Sequence, residues 1–559
     1  MRKTFILWNL FVLYFCMYGM CICAAETKVT WPADGLTLQE AYDKTAEGGT
    51  LTILRGVHDV PETLIIRKSI TITGEDTDRN EVILKGEKEN VLRLETGFAR
   101  IKNLTFKNVG DAHRWTVGEW ENTKPEERTK WDQFSAFHSA VSVQSPKSTF
   151  ENCLFISDIG IGLAVNQKDS DPIVTRCTAK DCGCSGFWVF NGAKGQFINC
   201  EASGNALSGI QVYGSGTDPT VENCRFTDGK ECGISVLHGA RGTFTGCEAS
   251  GNTLVGIGVN NRGTNPTVKN CRFTNTKEMC GILVCEGASG TFTDCEASEN
   301  AYVGIAVQGR GTNPTIENCR FTDSKEYCGI LVCEGASGTF TDCEASGNAM
   351  SGIEVTGSGT NPTVENCRFK NSKNYGINVE AGALGTFMDC EASGNVWGGI
   401  VVQGSGTNPR VEKCHFTNNQ QGGIGVAFGA SGTFTDCEAS GNVMSGILVR
   451  DSDTNPTVEK CRFTDSKKCS GIFVCAGANG TFTDCKASGN ALAGIEVRDS
   501  GSAPTVEKCR FTNNQIIGII VMNGASGTFR NNTLSGNTTT NWFVDNISSP
   551  VRVGNTPNE

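Results

Sequence analysis

The chain has 559 residues, of which 68 are glycine and 28 are cysteine, and its formal net charge is −11 at pH 7. A negative balance disfavours nucleic acid as a partner, because binding to phosphate groups requires lysine and arginine. The glycines follow no three-residue period, which excludes a collagen-like chain. Any regularity must therefore occur at a longer period.

The N-terminus, residues 1–25, has the pattern of a secretory signal peptide. Arg2 and Lys3 precede a long apolar run, and two small alanines follow that run. The run is nearly long enough to span a bilayer, so a membrane anchor is the alternative interpretation. We expect cleavage, no stable membrane span afterwards, and a secreted, periplasmic or cell-surface location.

Residues 26–110 read as an N-terminal cap followed by irregular β-rich coils. Thr37 and Glu40 stand three residues apart in a capping-box pattern, which predicts a short helix. Residues 111–138 then interrupt the β-rich segments as an insertion loop that contains Trp115, Trp120 and Trp131.

Residues 139–537 contain a repeat of about 24 residues. Its marker is a cysteine that recurs every 23 or 24 residues, at positions 153, 177, 200, 224, 247, 271, 295, 319, 343, 367, 390, 414, 437, 461, 485 and 509. Each unit has three short extended pieces: a Gly-Ile-x-Val segment, a segment just before the cysteine and a segment just after it. Such units stack as solenoids. We predict an all-β fold, a right-handed parallel β-helix of about 20 coils with three short strands per coil, capped by residues 538–559.

Two columns of the repeat support stacking in register. From Cys200 onward, the residue after the cysteine alternates between Glu and a cation along nearly the whole ladder, as in Glu248 and Arg272. We expect an exposed ion-pair ladder here rather than a charged binding track. Large and small side chains also alternate at two inward positions, as in Phe244 with Ala249, which keeps the packed volume of each coil nearly constant.

The repeat cysteines pose a separate question. In an exported protein they suggest disulfides, yet parallel neighbours at one strand spacing are too far apart for easy bridging. We therefore expect a buried stack of free thiols, with disulfides as the alternative. No Cys-x-x-Cys pair occurs, so we predict no metal site.

The central residue of Gly-Ile-x-Val is apolar in about half of the coils, and Trp188 holds the same phase in an early coil. The column reads Gln211, Ser235, Gly258, Leu283, Ala306, Leu331, Glu354, Asn378, Val401, Gly425, Leu448, Phe473, Glu496 and Ile520. An exposed apolar strip is typical of an interaction surface, although ordinary β-propensity on a shaded sheet would give the same pattern. We predict a groove over this sheet, with Trp115, Trp120, Trp131 and Trp188 lining one end.

The opening TLQEAYDKTAEGGTLTILRGVHDVPETLIIRKSITITGE resembles the start of pectin-lyase-like β-helix proteins. Repeats such as CRFTDSKEYCGILVCEGASGTFTDCEASGNAMSGIEV are similar to the carbohydrate-binding and sugar-hydrolysis repeat, above all to the repeats of a β-helical F-box protein, although no F-box is present. The resemblance implies the β-helix fold and a ligand lying along the Gly-Ile-x-Val sheet. The catalytic signatures of polygalacturonases, pectate lyases and epimerases are missing.

Three functions follow as hypotheses. The first is a non-catalytic binding or surface-scaffold protein for glycans or other surface proteins, without a cofactor. The second is a polysaccharide lyase, glycoside hydrolase or epimerase, with Glu354 and Glu380 as candidate catalytic acids and with Ca²⁺ only if it is a lyase. The third is a structural spacer, a rod of roughly 95 Å.

Overall fold

The computed structural model describes residues 25–33, 35–110 and 138–557. The predicted signal segment up to residue 24 lies outside the described residues, and so do Trp115, Trp120 and Trp131. The described chain is a parallel β-solenoid with three sheets of 20, 22 and 20 strands. The fold class predicted from the repeat is therefore confirmed.

Sheet 1 consists of the strands that carry Gly-Ile-x-Val and their counterparts in the first and last coils. Its strands are Leu64–Ile66, Asn90–Leu94, Ser139–Val143, Ile161–Asn166, Phe187–Phe190, Ser208–Tyr213, Cys232–Leu237, Val255–Asn260, Cys280–Cys285, Val303–Gln308, Ile330–Cys333, Ile353–Thr356, Tyr375–Glu380, Gly398–Gln403, Gly422–Ala427, Ile447–Arg450, Ile472–Cys475, Ala493–Arg498, Ile517–Met522 and Thr540–Val544. This sheet carries the candidate site.

Sheet 2 precedes the repeat cysteines and contains the buried Phe or Val. Its strands are Glu26–Trp31, Thr45–Ile53, Ile70–Gly74, Ala99–Lys102, Thr149–Glu151, Ile173–Thr175, Gln196–Ile198, Thr220–Glu222, Thr243–Thr245, Thr267–Lys269, Thr291–Thr293, Thr315–Glu317, Thr339–Thr341, Thr363–Glu365, Thr386–Met388, Arg410–Glu412, Thr433–Thr435, Thr457–Glu459, Thr481–Thr483, Thr505–Glu507, Thr528–Arg530 and Val551–Val553.

Sheet 3 follows the cysteines and carries the charge ladder. Its strands are Gly56–Val60, Val82–Gly86, Thr105–Asn108, Leu154–Ser157, Thr178–Lys180, Glu201–Ser203, Arg225–Thr227, Glu248–Ser250, Arg272–Thr274, Glu296–Ser298, Arg320–Thr322, Glu344–Ser346, Arg368–Lys370, Glu391–Ser393, His415–Thr417, Glu438–Ser440, Arg462–Thr464, Lys486–Ser488, Arg510–Thr512 and Thr533–Ser535. A 3₁₀ helix spans Arg79–Glu81.

The predicted cap helix is present at Leu38–Lys44. The Thr37 hydroxyl accepts the Glu40 N–H, and the Glu40 carboxylate accepts the Thr37 N–H, so the capping box forms as the sequence indicates. Leu38, Ala41 and Tyr42 are buried against the first coil. At the other end, two strands extend the solenoid into the predicted C-terminal tail, and the Trp542 ring packs edge-on against Phe529.

The columns stack in register as predicted. Arg225 lies opposite both Glu201 and Glu248, and the Arg225 guanidinium is 3.5 Å from the Glu248 carboxylate. Phe244 faces Val268 and Ala249 faces Phe273 on neighbouring coils, so large side chains meet small ones inside the core. The alternation is absent in the first coils, where Leu154 and Thr178 hold this position, and it fails again near the end, where Arg462, Lys486 and Arg510 place three cations in succession.

The repeat cysteines are buried, and among the described residues none forms a disulfide. The backbone N–H of Cys343 donates to the sulfur of Cys367 one coil later, at 3.4 Å. The Cys343 thiol in turn lies 3.3 Å from the carbonyl oxygen of Thr341. At the C-terminal end Asn532 and Asn555 occupy this column. The amide oxygen of each accepts a hydrogen bond from the backbone N–H of the column residue one coil earlier.

A second buried column consists of asparagines, and our sequence analysis did not identify it. The Asn395 amide oxygen accepts the Ser372 N–H at 3.0 Å, and its amide nitrogen donates to the Phe369 carbonyl and to the Asn419 amide oxygen, both at 3.1 Å. Asn395 and Asn419 are fully buried. The column satisfies backbone groups at a corner between sheets, where no strand partner is available.

Candidate binding groove on sheet 1

The outward column of sheet 1 stacks in register, from Trp188 opposite Gln211 to Glu496 opposite Ile520. It is not the exposed strip that the pattern indicated, because its members are buried, such as Val401 at 6% and Ile520 at 5% exposure, or half-buried, such as Leu448 and Phe473. Neighbouring side chains shade it, and that expectation is corrected here. The exposed apolar surface lies beside the column instead.

That surface is a ridge that runs beside sheet 1, just before its strands begin. In most coils the ridge residue is the second residue after the asparagine of the buried column. In the coils where another residue replaces that asparagine, the ridge residue is the one at the equivalent place. We call this surface the apolar ridge, and its large members are Leu207, Leu254, Met279, Tyr302, Tyr327, Met350, Trp397, Met444, Leu492 and Ile516. Backbone bonds link successive coils, for example from Tyr302 N–H to the Met279 carbonyl at 2.9 Å. Trp397 is 55% exposed and Tyr302 is 40% exposed. The recurring Asn-x-apolar pattern could have identified this ridge from sequence.

A concave groove of about 300 Å³ opens between the ridge and the opposite edge of sheet 1. Its floor is low because Gly398, Gly422 and Gly425 stand where other coils carry larger side chains. A Cβ built on Gly425 would lie at ordinary contact distances, 3.6 Å from the Val401 side chain and 3.9 Å from the Ile400 carbonyl oxygen. The fold therefore tolerates a side chain there, and its absence creates the space.

The groove walls combine aromatic, apolar and amide groups. Trp397 and Met444 form the ridge side, with the Tyr375 ring 6.1 Å from the Trp397 ring at an angle of 64°. Gln403 and Arg450 form the opposite side. This arrangement offers flat ring faces next to hydrogen-bonding side chains, the composition typical of small-ligand sites.

The charged end of this wall is held in place. The Arg450 guanidinium lies 5.0 Å above the Phe428 ring and 3.6 Å from the Asp451 carboxylate. Just beyond the groove, Arg498 pairs with the buried Glu496, which also accepts a 2.9 Å bond from the Ser470 hydroxyl. The C-terminal end of the groove is therefore bordered by cations that have acidic partners.

The structure places the two candidate acids at the N-terminal end of the groove. Glu354 lies opposite Asn378, and Glu380 lies two residues further along the same neighbouring strand. The Glu380 carboxylate accepts a bond from the Gln403 amide at 2.6 Å and one from the Asn378 amide at 3.3 Å. Gln403 thus belongs both to this acidic cluster and to the groove wall.

Glu354 is the more buried acid, at 4% exposure, and it accepts the hydrogen bond of the Tyr327 hydroxyl. Burial raises the pKa of Glu354, while the Tyr327 bond opposes that rise and the nearby Glu380 carboxylate adds to it. The pKa of Tyr327 is raised as well, by burial and by its bond to Glu354. The Tyr327 hydroxyl and the Glu354 carboxyl therefore share one buried hydrogen bond, and the Glu380 carboxylate lies nearby.

The predicted tryptophan site is not brought together within the described residues. Trp188 is 4% exposed and packs against Phe190 and Tyr213, with ring centres 5.4 and 6.5 Å apart. It lies eight sheet-1 strands before Tyr375, or about 38 Å along the axis. Its binding role stays a prediction, as does that of Trp115, Trp120 and Trp131, which lie outside the described residues.

No group of three or more His, Cys, Asp or Glu side chains among the described residues could hold a metal ion. In the same part of the chain, every helix is too short or too polar to cross a bilayer.

Comparisons with solved structures find matches at low sequence identity. Pectin methylesterase PemA from Erwinia chrysanthemi is 11% identical over 48% of this chain and 78% of its own, with a TM-score of 0.23. A mannuronic acid specific polysaccharide family 6 lyase from human gut microbiota is 11% identical over 70% and 82%, with a TM-score of 0.28. Pectate lyase Pel9A is 14% identical over 64% and 74%, with a TM-score of 0.23.

Similarities this remote carry no argument about activity, and no curated protein matches the chain. The family described as "Right handed beta helix region" matches residues 94–273, 256–412, 311–463 and 398–556. These matches together extend over most of the solenoid. The chain therefore belongs to the right-handed β-helix family.

Proposed function

We propose that this protein is a non-catalytic glycan-binding β-helix protein and that the groove on sheet 1 is its binding site. The observation that carries the proposal is the groove itself, a concavity with the exposed Trp397 indole on one side and Gln403 on the other. Indole faces stack on the apolar faces of sugar rings, and amide groups pair with hydroxyls.

The dimensions of the groove support an elongated ligand. It runs across five neighbouring sheet-1 strands, from Tyr375–Glu380 to Ile472–Cys475. Four strand spacings correspond to about 19 Å along the solenoid axis. A short oligosaccharide lying parallel to the axis would fill this length.

A glycan array with the purified full chain, repeated with two glycine variants, tests the proposal. Gly425→Leu fills the groove floor, and Gly258→Leu is the matched control, because it adds the same side chain to the same column outside the groove. We expect Gly425→Leu to weaken binding to the array hits at least about tenfold and Gly258→Leu less than about twofold. Absence of any hit, or equal binding by the two variants, would contradict the proposal.

We propose export as part of the same function, since a glycan ligand of this size is found mainly outside the cytoplasm. The basic start and apolar run of residues 1–25 support it. The mass of the mature N-terminus in the exported fraction tests it. A protein that retains residue 1 would contradict cleavage.

A further inference from the structure

We propose that the glycan carries a free amino group and that its ammonium binds at the acidic cluster of Glu354, Asn378 and Glu380. This inference rests on the proposed function and adds the chemical class of the ligand. An unacetylated amino sugar, such as a glucosamine oligomer, is the class that fits. The ring would lie in the groove while its ammonium group reaches the cluster.

The first observation is that the acidic cluster lies directly beside the groove. Glu380 is held by Gln403, which itself lines the groove, so the cluster begins where the groove ends. Asn378 and Val401 are direct neighbours in the outward column. The groove already reaches the strand Tyr375–Glu380, which carries Asn378 and Glu380, and Glu354 lies on the next strand, about 4.8 Å further along the axis.

The second observation is that the cluster has more hydrogen-bond acceptors than donors. The Asn378 amide oxygen is buried, in a residue only 7% exposed, and has no hydrogen-bond partner within the described residues. The amide oxygen of Asn374, four residues before Asn378 on the same coil, is also buried without a hydrogen-bond partner among the described residues. Together with the two carboxylates, these oxygens are acceptors in excess, and an ammonium group supplies three donors.

The third observation is that the two carboxyl groups of the cluster have no basic partner. Among the described residues, neither Glu354 nor Glu380 forms an ion pair with a basic side chain, whereas Glu496 at the other end of the groove is paired with Arg498. The raised pKa of Glu354 agrees with a carboxyl that has no cationic partner. A ligand ammonium would supply that missing charge, and a uronate carboxylate would be repelled.

Calorimetric titration of the full chain with matched oligosaccharides tests the inference. The probes are a glucosamine oligomer, its fully N-acetylated counterpart and a galacturonate oligomer of equal length. We expect the amine to bind at least about tenfold more tightly than the acetylated oligomer, and more tightly still than the uronate.

Variants separate this inference from the proposed function. Glu380→Gln should reduce the preference for amine over acetylated oligomer to less than about twofold, and the exposed Glu365→Gln should keep the preference. Equal binding of amine and acetylated oligomers, both weakened by Gly425→Leu, would overturn the amino-sugar inference and leave the glycan site standing. Binding of a lysine-bearing peptide in place of every glycan would overturn both.

Discussion

Tyr327 and Glu354 are joined by a hydrogen bond over the outer face of sheet 1, in which the phenol donates to a carboxyl that is 4% exposed. The bond crosses one coil, from the apolar ridge to the outward column. It holds a titratable group in a place where its charged form is poorly solvated.

The first prediction concerns the pH dependence of stability. Because the pKa of Glu354 is raised in the folded chain, the folded state binds the proton more tightly than the unfolded state does. Its contribution to stability is therefore complete below the ordinary glutamate pKa and is lost as the pH rises through the raised value. Glu354→Gln keeps an acceptor for Tyr327 and removes this loss.

Melting temperatures of the wild type and Glu354→Gln between about pH 4 and pH 8 check this prediction. The variant should gain stability relative to the wild type as the pH rises. The titratable groups that interact electrostatically with Glu354 are Tyr302, Tyr327, Cys328, Cys333 and Glu380. Melting curves that shift in parallel at every pH would show that Glu354 titrates normally.

The second prediction concerns the cysteine stack. Thiol counting in denaturant without reductant should find most of the repeat cysteines free. Cys343→Ser should lower the free energy of unfolding by about 1–3 kcal/mol, because a polar hydroxyl replaces a fully packed thiol. Cys333→Ser, at a partly exposed position, is the control and should cost less than about 0.5 kcal/mol. A near-zero thiol count would mean that the column is oxidised.

The third prediction concerns the charge ladder. Glu344 lies between Arg320 and Arg368 on neighbouring coils. Glu344→Arg would place three cations in one column and should lower stability by about 0.5–1 kcal/mol at low salt. The cost should shrink as salt is added, since these side chains are largely exposed. Denaturation at two salt concentrations measures it, and a cost that does not respond to salt would argue against an electrostatic origin.

The fourth prediction concerns the asparagine column. Asn395→Ala removes three hydrogen bonds and leaves the Ser372 N–H and the Phe369 carbonyl buried without that partner. We expect a loss of about 2–4 kcal/mol in the free energy of unfolding. Asn265→Ala in an exposed turn is the control and should change stability by less than about 0.5 kcal/mol. Similar losses for the two variants would show that the column does not support the coils.

The repeat allowed most of the fold to be predicted, because each column of the sequence becomes one physical column. The alternation of Glu248 with Arg272, and of Phe244 with Val268, shows the register directly. The cap helix followed from the local pattern of Thr37 and Glu40. These features depend on neighbours at known spacing, which the sequence contains.

The groove could not be predicted in the same way. The depth of the groove depends on how much of the outward column the ridge side chains cover. It also depends on the small residues Gly422 and Gly425 lying next to large residues such as Leu448. Sequence reasoning placed Glu354 and Glu380 on adjacent coils, which the structure confirms. It did not identify Trp397, because the exposed ridge lies in the turn before the strand rather than in the strand.

The most direct test of the binding groove compares two members of the same ridge. Trp397 lines the groove, whereas Met279 is exposed on the ridge five coils earlier and lies outside it. With an oligosaccharide identified on the array, calorimetric titration should give a dissociation constant at least about tenfold weaker for Trp397→Ala and within about twofold of the wild type for Met279→Ala. An unchanged dissociation constant for a correctly folded Trp397→Ala protein would contradict binding in this groove.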